Sequence, residues 1–167
     1  MVDSLSELLP ASRIVKLECR SKNEALQSLL DVLASSGAIP QRIEAERAIL
    51  SREVLMSTGI GYGIAVPHAK LPDVPEFAVA LAYSNDGIEY SSVVDDQPVK
   101  LICMIIGCSG QQDRYLKILA MIMRFLKSEK GKILSAYSQT EIHGFTRDYD
   151  TSERGPIRNE GQSVSEN

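Results

Sequence analysis

Between Arg52 and His68 the chain gathers a guanidinium, two hydroxyls at Ser57 and Thr58, three glycines at Gly59, Gly61 and Gly63, and an imidazole directly after Pro67. These side chains suit a phosphoryl group. Glycine lets backbone N–H groups converge as an anion nest, hydroxyls donate to phosphate oxygens, and an arginine neutralises charge through two parallel hydrogen bonds. Only the imidazole attacks phosphorus readily near neutrality: it titrates at about pH 6.5, presents a lone pair when neutral, and departs readily from its own adduct. Spacing alone leaves plainer readings open. Alternating glycines also make a turn or a bulge, a histidine after proline is also satisfied by a backbone carbonyl, Arg52 on a helix is also a solvated charge, and Lys70 reads as surface. The glycines do not fit the spacing of a nucleotide-binding loop.

The elements that must position this segment can be read from periodicity. Ser21-Lys-Asn-Glu24 has the form of a capping box, Ala25, Leu26, Leu29, Leu30 and Leu33 recur at three and four, and Gly37 supplies a stop, which predicts a helix over 22–36. Arg13 to Leu17 reads as a short strand, and Ile43, Ala45, Ala48, Ile49 and Leu50 predict a second helix after Pro40 that runs into Glu53. Residues 57–69 read as a loop feeding a strand. Phe77–Tyr83 and Val99–Ile106 predict further strands, the second apolar enough to be covered on both faces. A long helix over 112–127 carries Tyr115, Leu116, Ile118, Leu119, Ile122, Met123, Phe125 and Leu126, with a shorter helical segment expected around 132–137. From Arg147 the composition turns polar, and the tail 147–167 is expected to be disordered. Strands interleaved with paired helices predict α/β layers.

With 167 residues, 44% of them apolar, the chain suffices for one core and is too short for two ordinary domains. Its net charge of −4, from 18 basic and 22 acidic residues, includes no block of one sign that would track a nucleic acid or an anionic membrane. No apolar run approaches the roughly 20 residues of a membrane span, and Met1 to Pro10 lacks the basic start of a signal peptide, so a cytoplasmic protein without direct membrane insertion is expected. Cys19, Cys103 and Cys108 match no zinc or redox spacing, and the latter two read as small hydrophobes in a buried strand. With only His68 and His143, a multi-histidine metal site is not expected.

The segment resembles the phosphohistidine motif of the type 2 enzyme IIA family of the bacterial phosphoenolpyruvate-dependent phosphotransferase system, the fructose, mannitol and nitrogen-regulatory class. The motif's acidic position is Glu53, followed by Ile60-Gly61, Ile64-Ala65-Val66 and Pro67-His68-Ala69, while Arg52 and Ser57-Thr58-Gly59 match an arginine and a Ser-Thr-Gly of family members. The looser likeness covers about residues 5–145, which implies one enzyme IIA domain over 1–146. It also implies a three-layer α/β/α sandwich with a mixed β-sheet flanked by helices. The resemblance further implies that His68 is the phosphoacceptor, with attack through Nε2 and Nδ1 held by a carbonyl. Arg52 would stabilise phosphoryl charge, Thr58 would hydrogen-bond the phosphate, and Ser57, Gly59 and Gly61 would bind it through hydroxyl and loop N–H groups. The implied partners are the small carrier HPr as donor and a cysteine of an enzyme IIB, or a regulated target protein, as acceptor. No metal, nucleotide or other cofactor is implied.

Two positions depart from the family pattern. Many members carry a second histidine early in the long helix where this chain has Tyr115, and Tyr62 stands where an asparagine is common. Tyrosine donates a hydrogen bond but carries no positive charge near pH 7. Either Tyr115 replaces that histidine as a neutral donor, or transfer is slower, or the protein is mainly regulatory; on periodicity alone it is equally a core aromatic. His143 matches nothing in the motif. Two functions follow: a phosphocarrier in sugar uptake or nitrogen regulation, or a regulatory binding module of the same fold with slow or no phosphotransfer.

Overall fold

The structure is a computed structural model that describes residues 3–91 and 94–154. Its centre is an antiparallel pair, β5 (Ala78–Ile88) and β6 (Val99–Cys108), registered from Ala78 opposite Ile106 to Tyr83 opposite Leu101. Ala78 to Ser84 are buried without a break, and in β6 every residue but Lys100 is buried, which fits the nearly continuous apolar sequence of interior strands. β1 (Ile14–Lys16) adds to β5 in parallel. On the other side of β6 lie β3 (Ile64–Ala65) and β4 (His68–Leu71), both parallel to it, with β2 (Gly59–Gly61) antiparallel to β3.

β3 and β4 share one register against β6: Ile64 lies opposite Leu101, Ala65 opposite Ile102, His68 opposite Ile105 and Leu71 opposite Cys108. They form a single line of strand interrupted only at Val66-Pro67. Pro67 has no N–H to give a ladder, and an edge is where a sheet tolerates that. Seven residues from Gly61, beyond the interruption, His68 begins the second stretch.

Helices α2 (Lys22–Ser35) and α3 (Arg42–Leu55) cover one face; α1 (Leu5–Leu8), α4 (Gln112–Ser135) and α5 (Gln139–Arg154) cover the other. This is the expected three-layer α/β/α sandwich with a mixed sheet. Ser21 caps α2 by accepting from the Glu24 N–H at 3.2 Å. At its other end Gly37, at φ +75°, lets the Ala38 N–H reach back to the Leu33 carbonyl at 3.1 Å. No helix among the described residues is long and apolar enough to cross a membrane.

Two expectations for the C-terminal part need correction. The long helix does not stop at Lys127 but continues to Ser135, absorbing most of the segment expected to be a separate helix around 132–137. The polar stretch from Arg147 is not disordered at its start, because α5 runs through Arg154; residues 155–167 lie outside the described residues. Ile142 and Thr146 are buried, and Tyr149 meets Phe125 edge to face at a centroid distance of 5.5 Å. A stripe at i, i+4 and i+7 is thus present, carried partly by a threonine and a tyrosine rather than by aliphatic residues.

α5 also ties down the N-terminus. Asp150 accepts from the Leu5 N–H at 2.8 Å, the Ser6 N–H at 3.0 Å and the Ser4 hydroxyl at 2.8 Å, doing for α1 what a local cap usually does. His143 is not incidental either: its Nε2 donates to the Ser6 carbonyl at 3.0 Å. Burial raises the Asp150 pKa, but the hydrogen bonds from Ser6, Ser4 and Leu5 outweigh it and leave the group below the ordinary value of 3.8. A depressed carboxylate contributes stability above its unfolded pKa and loses it as the pH falls through the folded one. Asp150→Ala is therefore expected to cost about 1–2 kcal/mol at pH 7 in urea unfolding. The gap between variant and wild type should shrink as the pH drops below 3.8.

Candidate functional site

His68 is held by backbone on both sides. The Val66 N–H donates to the Thr58 carbonyl at 3.0 Å, and the Ile105 N–H donates to the Pro67 carbonyl at 3.0 Å, so the two residues preceding His68 are anchored on opposite sides, one to the residue before β2 and the other to β6. Freed from the ladder, the Val66 carbonyl lies 2.7 Å from His68 Nδ1. A carbonyl only accepts, so the proton sits on Nδ1 and the lone pair on Nε2. The ring is half-buried at the open edge of the sheet.

Tyr115, on the first turn of α4, faces this ring with centroids 5.9 Å apart and planes inclined by 56°. The approach depends on Gly107, which lies two residues past His68's partner on β6: a Cβ there would stand 2.6 Å from Tyr115 Cδ2. Phe77 closes the other side of Tyr115 at 6.1 Å, and Lys70, on the same face of β4 as His68, sets its ammonium 4.7 Å from the Tyr115 ring centre while donating to Gln112 Oε1. Only 5% of Tyr115 is exposed. Burial pushes its hydroxyl up to about 12, with the charge of Arg52 pulling the other way. Tyr115 is therefore both a packed aromatic and a neighbour of the histidine.

Arg52 comes from the opposite layer, on the last turn of α3, and one of its amino groups donates to the Met56 carbonyl at 2.8 Å. Its charge acts on the Tyr115 hydroxyl, and α3, which bears it, packs against β4, the strand that begins at His68.

Thr58 is placed differently from the expectation. Its side chain is buried, and its hydroxyl is engaged by the Glu53 carboxylate and by the Tyr90 hydroxyl at 2.7 Å. Glu53 Oε2 also takes the Thr58 N–H at 3.3 Å and the Lys22 ammonium at 2.7 Å, and Oε1 takes the Tyr90 hydroxyl at 2.8 Å. Burial works against the charge of Glu53, but Lys22, Thr58 and Tyr90 outweigh it, and its pKa lies below the usual carboxylate value. Burial likewise raises the Tyr90 hydroxyl's pKa. Arg52's neighbour, read from sequence only as a motif position, is thus the centre of a four-element junction.

The glycines build a hairpin rather than a cradle around His68. Gly61, Tyr62 and Gly63 all have φ between 59° and 83°, forming the β2–β3 turn, and a Cβ on Gly61 would meet Val94 and Asp95. Gly61 pairs with Ile64, four residues of extended chain before His68, a separation on the order of 13 Å. Gly59 is registered with Ala65, its N–H bonded to Ser57 Oγ at 3.2 Å, and the Ser57 hydroxyl itself donates to the Ser91 carbonyl. The structure therefore brings together His68, Tyr115 and Lys70, places Arg52 on the helix that packs against β4, keeps Ser57 and Thr58 in hydrogen bonds of their own, and sets Gly61 apart.

An α/β/α domain presenting one half-buried histidine at its sheet edge, with the proton fixed on Nδ1, is a scaffold for chemistry at Nε2. The family profile described as "Phosphoenolpyruvate-dependent sugar phosphotransferase system, EIIA 2" matches residues 7–147, and the chain belongs to that family, a phosphotransfer component of the system. A Haloferax volcanii "PTS system fructose-specific EIIA component" is 36% identical over 124 residues, covering 73% of this chain and 80% of the relative. The "Nitrogen regulatory protein" of Escherichia coli K12 is 30% identical over 135 residues, covering 80% of this chain and 82% of that protein. A Bacillus subtilis "PTS system fructose-specific EIIABC component" is 34% identical over 149 residues, 87% of this chain, which spans only 23% of that longer protein. Among solved structures, nitrogen regulatory protein IIA-Ntr from Neisseria meningitidis superposes with a TM-score of 0.77 at 23% identity, covering 85% of this chain and 98% of the other. Enzyme IIA mannitol from Escherichia coli, in its complex with phosphorylated enzyme IIB mannitol, gives 0.68 at 22% identity, covering 84% and 99%.

The dependence of Tyr115 on Gly107 is directly testable. Gly107→Ala is expected to cost about 1–3 kcal/mol through overpacking, read by urea unfolding, and to move the His68 ring-proton shifts as the tyrosine ring is displaced.

Proposed function

We propose that the protein is a phosphohistidine carrier in which Nε2 of His68 accepts a phosphoryl group from the phosphohistidine of an HPr-type protein. The Nε2–P bond forms as the donor's N–P bond breaks, the donor imidazole leaves with its electron pair, and the proton stays on Nδ1, donated to the Val66 carbonyl. In the return half, a thiolate of an enzyme IIB cysteine attacks the same phosphorus and His68 leaves as neutral imidazole. The observation that carries the reading is the 2.7 Å contact of Nδ1 with the Val66 carbonyl, which leaves Nε2 as the nucleophile. Arg52 meets charge on the equatorial oxygens, and the Tyr115 hydroxyl supplies one neutral hydrogen bond. The carrier works in the cytoplasm without a metal or cofactor.

The rim suits a protein donor and acceptor. Val54 and Leu55, at the end of α3, are 87% and 82% exposed, and Met56 and Leu116 are more than half exposed. Exposed aliphatic groups at the helix ends that bear Arg52 and Tyr115 are what a transient partner would cover. The complex of enzyme IIA mannitol with phosphorylated enzyme IIB mannitol supports a IIB partner. The nitrogen regulatory relative supports a second destination, a regulated target docking on the same rim.

Intact mass after incubation with phosphoenolpyruvate, enzyme I and HPr tests the proposal. Wild type is expected to gain one acid-labile phosphate and His68→Ala none; a folded wild type that gains none from several HPr sources overturns the carrier reading. Arg52→Ala is expected to slow transfer by about a hundredfold, and Tyr115→Phe by about tenfold, the worth of one hydrogen bond to a charged group.

A further inference from the structure

We infer that Glu53 is a positioning residue for His68, fixing the orientation and tautomer of its ring through Thr58 and Val66. The inference rests on His68 as phosphoacceptor. A continuous path of hydrogen bonds joins the two residues. Glu53 holds Thr58 by both its N–H, at 3.3 Å, and its hydroxyl. The Thr58 carbonyl holds the Val66 N–H at 3.0 Å, and the Val66 carbonyl takes Nδ1 at 2.7 Å. The Pro67 carbonyl faces β6, so the alternation of extended chain turns the Val66 N–H and carbonyl away from β6, and the Thr58 carbonyl is what holds that N–H.

Glu53 is itself immobilised from two further elements. Lys22, at the N-terminus of α2, lies 2.7 Å from Oε2, and Tyr90, just past β5, donates to Oε1 at 2.8 Å. Only 5% of the Glu53 side chain is exposed, so no water competes freely for these oxygens. Each oxygen accepts two donors: Lys22 and the Thr58 N–H on Oε2, the Thr58 and Tyr90 hydroxyls on Oε1. An amide in this place turns one oxygen into an NH2 group facing donors, which releases either the Thr58 backbone or its hydroxyl. Thr58 then moves, Val66 follows, and the carbonyl that fixes Nδ1–H drifts from the ring.

The same junction carries Arg52, the residue before Glu53 on the last turn of α3. The buried carboxylate thereby sets the strand behind the nucleophile and the helix end that bears the guanidinium.

The test combines nitrogen-15 NMR of the His68 ring with phosphotransfer kinetics on the full chain as wild type, Glu53→Gln and Tyr90→Phe. Wild type is expected to show the Nδ1–H tautomer. Glu53→Gln should show a mixture of tautomers and a kcat reduced by about tenfold with the KM for phospho-HPr unchanged. Tyr90→Phe, which removes one donor and keeps the ring packed, should move both readouts the same way by a smaller factor. A wild-type tautomer in folded Glu53→Gln overturns the inference whatever happens to the rate, because a merely stabilising role leaves the ring untouched. If Glu53→Gln does not fold, an unaltered tautomer in Tyr90→Phe overturns it instead. A wild type that shows the fixed tautomer, loses it in Glu53→Gln, yet takes no phosphate leaves the positioning role standing and removes the carrier reading.

Discussion

A carbonyl that has lost its place in a β-ladder organises this end of the molecule. β3 and β4 keep one register along β6, yet between them Val66 and Pro67 break step, and the carbonyl released there holds Nδ1 of His68. Proline suits the position twice over: it has no N–H to leave unsatisfied, and it biases Val66 toward extended backbone. The interruption lasts two residues because the Ile105 N–H recaptures the chain at the Pro67 carbonyl. A longer break would free the histidine.

Around that contact the two helical layers contribute unlike groups. α3 brings a permanent positive charge in Arg52, and α4 brings a neutral donor in Tyr115, whose hydroxyl burial pushes up to about 12. A tyrosine in this state stays protonated throughout the physiological range, so its hydroxyl can donate without adding a titration. A phosphoryl group of roughly two negative charges would meet the charges of Arg52 and the Lys70 ammonium.

Much of this could be read before any coordinates. The leucine period of α2, its Ser21 cap, the buried run of β6 and the first three turns of α4 are local, strongly periodic features, and they appear where periodicity puts them. The pairing of Pro67 with His68 pointed to the ring that the structure exposes at the sheet edge. What sequence did not show depends on contacts between distant segments. Thr58 looks like a phosphate donor until Glu53, five residues away, and Tyr90, thirty-two away, are seen to occupy its hydroxyl. Gly61 looks like a cradle until the hairpin register carries it toward Val94 and Asp95. Gly107 has no local signal at all; its meaning is the Tyr115 ring lying across it. α5 was missed for a compositional reason, since the residues that bury its stripe include Thr146 and Tyr149 among many charges.

The position of the histidine at an edge strand follows from two demands that conflict anywhere else in the sheet. Fixing a tautomer requires a rigid backbone acceptor within hydrogen-bond reach, which the interior supplies in abundance. Presenting Nε2 to a group on another protein requires exposure, which β5 and β6 cannot offer between their covering helices. β4, paired on one side alone, satisfies both. The cost of an unpaired edge is its readiness to recruit another strand. Here the edge strand is four residues long, carries Lys70 at its third position and packs against α3, features that blunt strand addition while leaving the imidazole reachable. A short, charged, helix-covered edge is thus the compromise that lets one residue be both rigidly held and open to a partner.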